Sequence, residues 1–158
     1  MNPLLLIALL GGGFLLYKSL ATVDALTTLQ VQVVKFQVYN ISTSTGITFR
    51  IIVKFANLAN ADISIDRVYI NGYIDTNGNA ARVCTLDAGG FTIPANSSIQ
   101  QEFFVKVTWL DALVGASTIT NAIMHGQSLS DIRLDGIVKA MGQTVEFENI
   151  IPISTSNN

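Results

Sequence analysis

From residue 29 onward the chain alternates apolar and polar side chains with a period of two. In "ITFRIIVKF", Ile47, Phe49, Ile51, Val53 and Phe55 share one phase, while Thr48, Arg50 and Lys54 take the other. That is the pattern of a strand with one face buried and one in water. "LQVQVVKFQV" keeps the same period through Leu29, Val31 and Val33, then resets to Phe36 and Val38. The adjacent valines Val33 and Val34 break the phase as a β-bulge does. "DISIDRVYING" predicts a further strand ending at Asn71-Gly72. Asn77-Gly78 predicts a hairpin turn leading into a short strand at "ARVCTL".

Beyond a proline-bearing turn, "SSIQQEFFVKV" puts Ile99, Phe103, Val105 and Val107 in one register. The last two strands, "DIRLDGIVKAM" and "TVEFENIIPI", meet across Gly142-Gln143. Between them "WLDALVGASTITNAIMHG" is the helical candidate, with Leu110, Leu113 and Val114 at helical spacing. Six to eight short strands separated by turns predict a β-sandwich or barrel.

The first 21 residues follow neither pattern. "NPLLLIALLGGGFLLYK" has no charged side chain before Lys18. Asn2 can cap a helix and Pro3 suits its first turn. A helix from Pro3 to Ala21 would span nearly 30 Å at about 1.5 Å per residue, close to a bilayer's hydrocarbon core. Gly11-Gly12-Gly13 would cost a water-soluble helix roughly 1 kcal/mol per glycine. In lipid the same glycines are tolerated, and Ala8 with Gly12 makes a small face for helix packing.

A cleaved signal peptide fits the apolar length and "SLA", but no Lys or Arg precedes the run and Lys18 falls in the cleavage region. A helix buried within an assembly is the third reading. The expectation is a permanent anchor carried by Pro3, Leu6, Ala8, Gly12, Phe14, Leu16, Tyr17 and Lys18, with Tyr17 and Lys18 at the headgroups. Residues 1–21 would form the anchor, 22–28 a linker and 29–158 the sandwich.

Composition narrows the function classes. The chain is 49% hydrophobic and only 13% charged, with a net charge of −2. Its polar surface must come largely from Ser, Thr, Asn and Gln, which defends weakly against association. With no basic stripe, nucleic-acid binding is disfavoured. Cys84 is the sole cysteine and His125 the sole histidine. Cys84 reads as a core residue, and His125 as a group serving the carbonyls at the end of the helical candidate.

Asp75, Asn77 and Asn79 occupy the first, third and fifth positions of a calcium loop. Ala80 and Leu86 stand where its Gly and Glu belong, so a polar hairpin turn is expected. Asp87-Ala88-Gly89-Gly90 lacks the residues of a phosphate loop and reads as a flexible turn. The carboxylate pairs Asp62/Asp66 and Glu146/Glu148 have the chemistry for acid-base work, but Glu146 and Glu148 flank Phe147 on the opposite face of a strand and read as outward charges. Trp109 is expected to plug the core. Ile52 and Phe104 are out of phase with the core; they are the candidate protein-contact positions or, equally, positions covered by the helix. No catalytic, cofactor or metal-binding residues are expected.

The order of an anchor, a long first strand, "KFANLANADISIDRVYING", "IPANSSIQQEFFVKV", a short helix at "WLDALV" and a terminal hairpin resembles the late-embryogenesis type 2 family (LEA14/WHy) over residues 29–153. Those domains commonly follow the second strand with Asn-Pro; this chain has Asn57-Leu58. The resemblance implies an all-β, immunoglobulin-like antiparallel β-sandwich with one short helix, here preceded by an N-terminal transmembrane helix, and no catalysis. The function expected is non-enzymatic. A single-pass anchored structural or adaptor protein would tether a lipid bilayer to neighbouring structural proteins, with homo-oligomers allowed. By analogy the setting is the internal membrane of a lipid-containing bacteriophage virion. The alternative is a bacterial cell-envelope domain of the same family, for stress protection or apolar-ligand binding.

Overall fold

The computed structural model describes residues 28–110 and 114–155 in full. The expected linker lies outside these residues up to residue 27. Of the expected anchor only the backbone of Leu5–Leu10 and Gly13–Ser19 is described, as two antiparallel strands rather than as a helix, the second paired with residues 145–148. Among the described residues no helix is long and apolar enough to cross a membrane.

Seven strands and one helix make up this span. In chain order they are β1 (Leu29–Ser42), β2 (Gly46–Asn57), β3 (Ile63–Thr76), β4 (Asn79–Ile93), β5 (Ser97–Thr108), α1 (Val114–Met124), β6 (Asp131–Ala140) and β7 (Gln143–Thr155). Their hydrogen-bonded order is β4-β3-β6-β7-β1-β2-β5. Every pairing is antiparallel except the short parallel one that joins Phe36–Val38 of β1 to Ile153–Thr155 of β7. β7 therefore belongs to both layers. It pairs with β6 through Pro152, then leaves for β1. Pro152, which has no N–H to give a ladder, stands at the change of partner.

Alternation builds the core. Ile47, Phe49, Ile51, Val53 and Phe55 of β2 are all fully buried. They meet Leu29, Val31, Phe36 and Val38 of β1, Ile65, Val68 and Ile70 of β3, and Leu134 and Val138 of β6. Phe36 and Phe49 stack with centroids 5.0 Å apart, and Phe55 meets Phe91 edge-on at 5.0 Å. The phase break in β1 is a bulge. Register slips between Val33 and Lys35, so Val34 is the extra residue, and a second slip isolates Tyr39. Each bulge turns its apolar side chain outward, and both are about half exposed.

Two hairpins use two-residue turns with positive φ at both positions, Asn77-Gly78 and Met141-Gly142. That geometry matches the twist of the flanking strands.

Three sequence expectations are corrected. β3 does not end at Asn71-Gly72 but runs on to Thr76. Gly72 is there because of close approach: a Cβ would lie 3.0 Å from Ile132 Cδ1 and 3.2 Å from Cys84 Sγ. Asp87–Gly90 is not a turn; it lies inside β4, which is 15 residues long. The helix starts at Val114, and its buried seam is Gly115, Ala116, Ile119 and Thr120. Leu110 is fully exposed ahead of it and Val114 is largely exposed; Leu113 lies outside the described residues. The helix seats on β4 at Gly115, where a Cβ would come within 2.7 Å of the Arg82 carbonyl.

Candidate functional site

The outer face of the β1-β2-β5 layer holds both candidate contact residues. Register sets Gln37 beside Arg50 and Arg50 beside Phe104, with Ile52 between Lys35 and Glu102. Phe104 is 52% exposed and Ile52 is half-buried. The bulged Tyr39 meets Phe104 edge-on, centroids 5.0 Å apart. Sequence reasoning picked out Phe104 and Ile52 from their phase. It did not pick out Tyr39, which a regular strand would have placed elsewhere.

Beside the two rings, Arg50 pairs with Glu102 and reaches the Gln37 amide oxygen at 3.4 Å. The hydrogen bond to Glu102 holds Arg50 more firmly protonated, and the same bond draws the Glu102 carboxyl below its ordinary range. The patch is thus an aromatic pair next to an internally neutralised ion pair. It can offer apolar contact within a rim that also carries Lys35, Lys54 and Lys106 on the same face.

Several groups that could support chemistry are engaged by the fold. Cys84 is fully buried under Gly72, and burial pushes its thiol from 9.0 up to about 12. A thiol so held stays neutral and inert at ordinary pH. His125 is exposed; its Nδ1 lies 2.8 Å from the Asn121 carbonyl oxygen, at the helix end where a ring N–H serves a carbonyl. Asp75 Oδ1 accepts the Gly78 N–H at 2.7 Å, so that carboxylate closes the hairpin turn.

Asp87 is held by Arg67 in a two-pronged pair, with one contact at 2.6 Å. The hydrogen bond from Arg67 lowers the Asp87 carboxyl. Asp62 accepts the Ala95 N–H at 3.0 Å, and Glu146 and Glu148 are half-buried. Among the described residues no group of three or more His, Cys, Asp or Glu side chains could hold a metal ion. Of the anchor positions, Pro3 and Gly12 lie outside the described residues, and Leu6, Ala8, Phe14, Leu16, Tyr17 and Lys18 fall on the two N-terminal strands, Leu5–Leu10 and Gly13–Ser19.

One cleft stands near the end of β1. Ile41, Thr43, Trp109, Ser117, Thr120, Asn121 and Met124 enclose about 360 Å³ with no charged side chain among them. Trp109 packs against the core and donates its indole N–H to the Ser42 carbonyl at 2.9 Å. It therefore forms the cleft wall and closes the β1–β2 corner together.

Two buried asparagines matter to the architecture and carried a signal that was overlooked. Asn57 continues the inward phase of Phe55. Its Nδ2 lies 2.8 Å from the Ala61 carbonyl oxygen and 3.1 Å from those of Ile93 and Pro94, and its Oδ1 accepts the Ala59 N–H. Asn149 sits inward between Phe147 and Ile151 and accepts the Val33 N–H at 2.7 Å. That N–H belongs to the residue beside the first bulge, so a side chain serves the backbone where the ladder slips.

No family model matches the chain, and no curated protein matches it. Among solved structures it is similar to a protein from Archaeoglobus fulgidus, at 12% identity and TM-score 0.45, over 78% of this chain and 94% of that one. Red sea bream transglutaminase is similar at 18% identity and TM-score 0.46, over 82% of this chain but only 17% of the enzyme. A late embryogenesis abundant (LEA) protein is similar at 15% identity and TM-score 0.33, over 79% of this chain and 72% of that one. At these identities and scores the likenesses assign no activity.

Proposed function

We propose that this chain is a non-enzymatic, immunoglobulin-like sandwich of the late-embryogenesis type 2 kind, held on a bilayer by its apolar leader and working as a structural or adaptor module. The observation that carries the reading is the use of the sole thiol and the sole imidazole. Cys84 is sealed in the core and His125 sits on a helix-end carbonyl. The ion pairs on the sheet faces are likewise engaged with each other. What remains on offer is surface, including the Tyr39 and Phe104 rings. The leader supplies attachment at a strength close to irreversible. The sandwich then meets neighbouring proteins, as in a layer between an internal membrane and a capsid.

Alkaline carbonate extraction tests the attachment. The full chain is expected in the membrane pellet, and release into the supernatant would remove the anchor from the account. In a virion setting the protein should co-purify with particles at fixed copy number and leave with lipid on detergent treatment.

A second reading has one observation in its favour. The uncharged cleft beside Trp109 has the size and mixed lining of a small-ligand site. Titration with the neutral probe N-phenyl-1-naphthylamine should then shift the emission of Trp109, the chain's one tryptophan. An unchanged spectrum would leave the cleft as a structural corner.

A further inference from the structure

Among the described residues the sheet path ends on two strands, β4 and β5. β5 runs for 12 residues, pairs with β2 alone, shows no register shift and contains no proline. Long regular edges of this kind are templates for another strand. Its inward residues Ile99 and Phe103 pack on the core yet stay half-buried, as they would beside a missing neighbour. Its outward row is Ser98, Gln100, Glu102, Phe104 and Lys106, all exposed.

Laid antiparallel to its own copy about a two-fold axis at Phe104, this strand is self-complementary. Phe104 faces Phe104, and Glu102 faces Lys106 in both directions. On the inner face Phe103 meets Val105 and Gln101 meets Val107. Opposite charges and apolar groups thus find like-suited partners at directly opposed positions. Moving the axis to Glu102 or to Lys106 would set identical charges against each other. A one-residue slip would set Glu102 against an inward apolar position. Axes at Phe103 or Val105 would leave Glu102 and Lys106 opposite uncharged groups, so the Phe104 register is the one that sets the opposite charges against each other. Tyr39 already lies edge-on to Phe104, so pairing would line up four rings across the joint. Glu102 can serve Lys106 of the second copy while keeping Arg50, because a carboxylate accepts from two cations.

We infer that β5 is a homodimerisation strand, and that the partner seated on it is the β5 of a second copy of this chain, in antiparallel register about Phe104. The contact joins the β7-β1-β2-β5 layers of two copies into one sheet of eight strands. It does not depend on where the leader resides. Anchoring would favour it by confining copies to one plane, which raises their effective concentration.

The test uses the full-length chain in mild detergent. Phe104→Cys in a Cys84→Ala background should give a disulfide-linked dimer on mild oxidation. Gln100→Cys in the same background should not, since its two copies would sit roughly 27 Å apart at 3.4 Å per residue. If replacing Cys84 disturbs the fold, the native residue is kept, because its buried thiol does not compete. Lys106→Glu should weaken self-association roughly tenfold or more in sedimentation, and Glu102→Lys with Lys106→Glu should restore it. Equal crosslinking at 100 and 104, no crosslinking at 104, or a dimer indifferent to Lys106→Glu would each overturn the assignment. A dimer made through the leader gives that last result, and carbonate extraction reports separately on the anchor.

Discussion

Strand β4 ends one side of the sheet path with a bulge at Val83, two successive glycines, the Arg67–Asp87 pair on its flank, and α1 seated at Arg82. Strand β5 ends the other side with 12 regular residues and carries an ion pair too, Arg50–Glu102, but it has no bulge, no glycine and no helix seated on it. Both strands are of similar length and both contribute to one core, so burial does not distinguish them. What differs is whether a further strand could add. β4 is twisted, charged and covered, which are the usual defences of an edge. β5 keeps its pleat and presents Phe104. An edge left regular in a chain that elsewhere defends its edge is best understood as a place of contact.

Substitutions at the corner, at the helix seat and at the ion pairs probe this contrast. The largest effect is expected where the two edges meet. Asn57 reaches the carbonyls of Ile93 and Pro94, at the corner between β4 and β5. Asn57→Ala leaves buried backbone groups without partners and should cost about 3 kcal/mol in urea unfolding. A loss under about 1 kcal/mol would mean the corner holds without it. Next comes Gly115→Ala, which forces a methyl toward the Arg82 carbonyl and should lift α1 off β4. A cost of roughly 1–3 kcal/mol is expected, with new aggregation through the uncovered edge seen by light scattering. Unchanged stability would show that α1 is not a tight cover.

A pH scan gives a subtler separation. The Cys84 thiol lies above its free value in the folded state, so the folded chain holds its proton more tightly. Stability from this source is complete below about pH 9 and declines as pH rises toward 12. Cys84→Ala should flatten that alkaline limb in a thermal-melt series; an identical slope would mean other groups cause it. The smallest effect belongs to the exposed pairs. Asp87 and Glu102 are both held below their usual range by their arginines, so their contribution is present at neutral pH and lost in acid. Asp87→Asn should slightly flatten the acid limb on the β4 side and Glu102→Gln on the β5 side. Salt should shrink both effects, because exposed pairs are screened.

Much of the layer structure was legible in the residues. The inward rows of β2 and β7, the bulge at Val34 and the turn at Asn77-Gly78 each follow from a local rule of alternation or turn chemistry, whereas the last turn falls at Met141-Gly142, one residue before the expected Gly142-Gln143. The errors came where a local rule met a distant constraint. Asn71-Gly72 has the composition of a turn, yet Gly72 is a strand residue because Ile132 and Cys84 crowd it from elsewhere in the fold. Asp87–Gly90 looks flexible in isolation and is extended because β3 pairs along it. Leu110 and Val114 look like a helix face, but they are exposed and α1 turns its small residues to β4. For the candidate patch, the phase of Phe104 was readable from β5 alone. Its meeting with Tyr39 was not, because a bulge decides where Tyr39 points.

Local chemistry along the chain is enough to say which residues face inward, where the Asn77-Gly78 turn falls, and that reactive side chains are scarce. Those properties depend on side-chain character and a period of two, which each short segment carries within itself. Which strands end the sheet path, which glycines mark close packing, and how β7 joins two layers emerge only once the chain is folded. These depend on pairing between residues far apart in the chain, where packing and hydrogen-bond satisfaction over the whole molecule outweigh local preference.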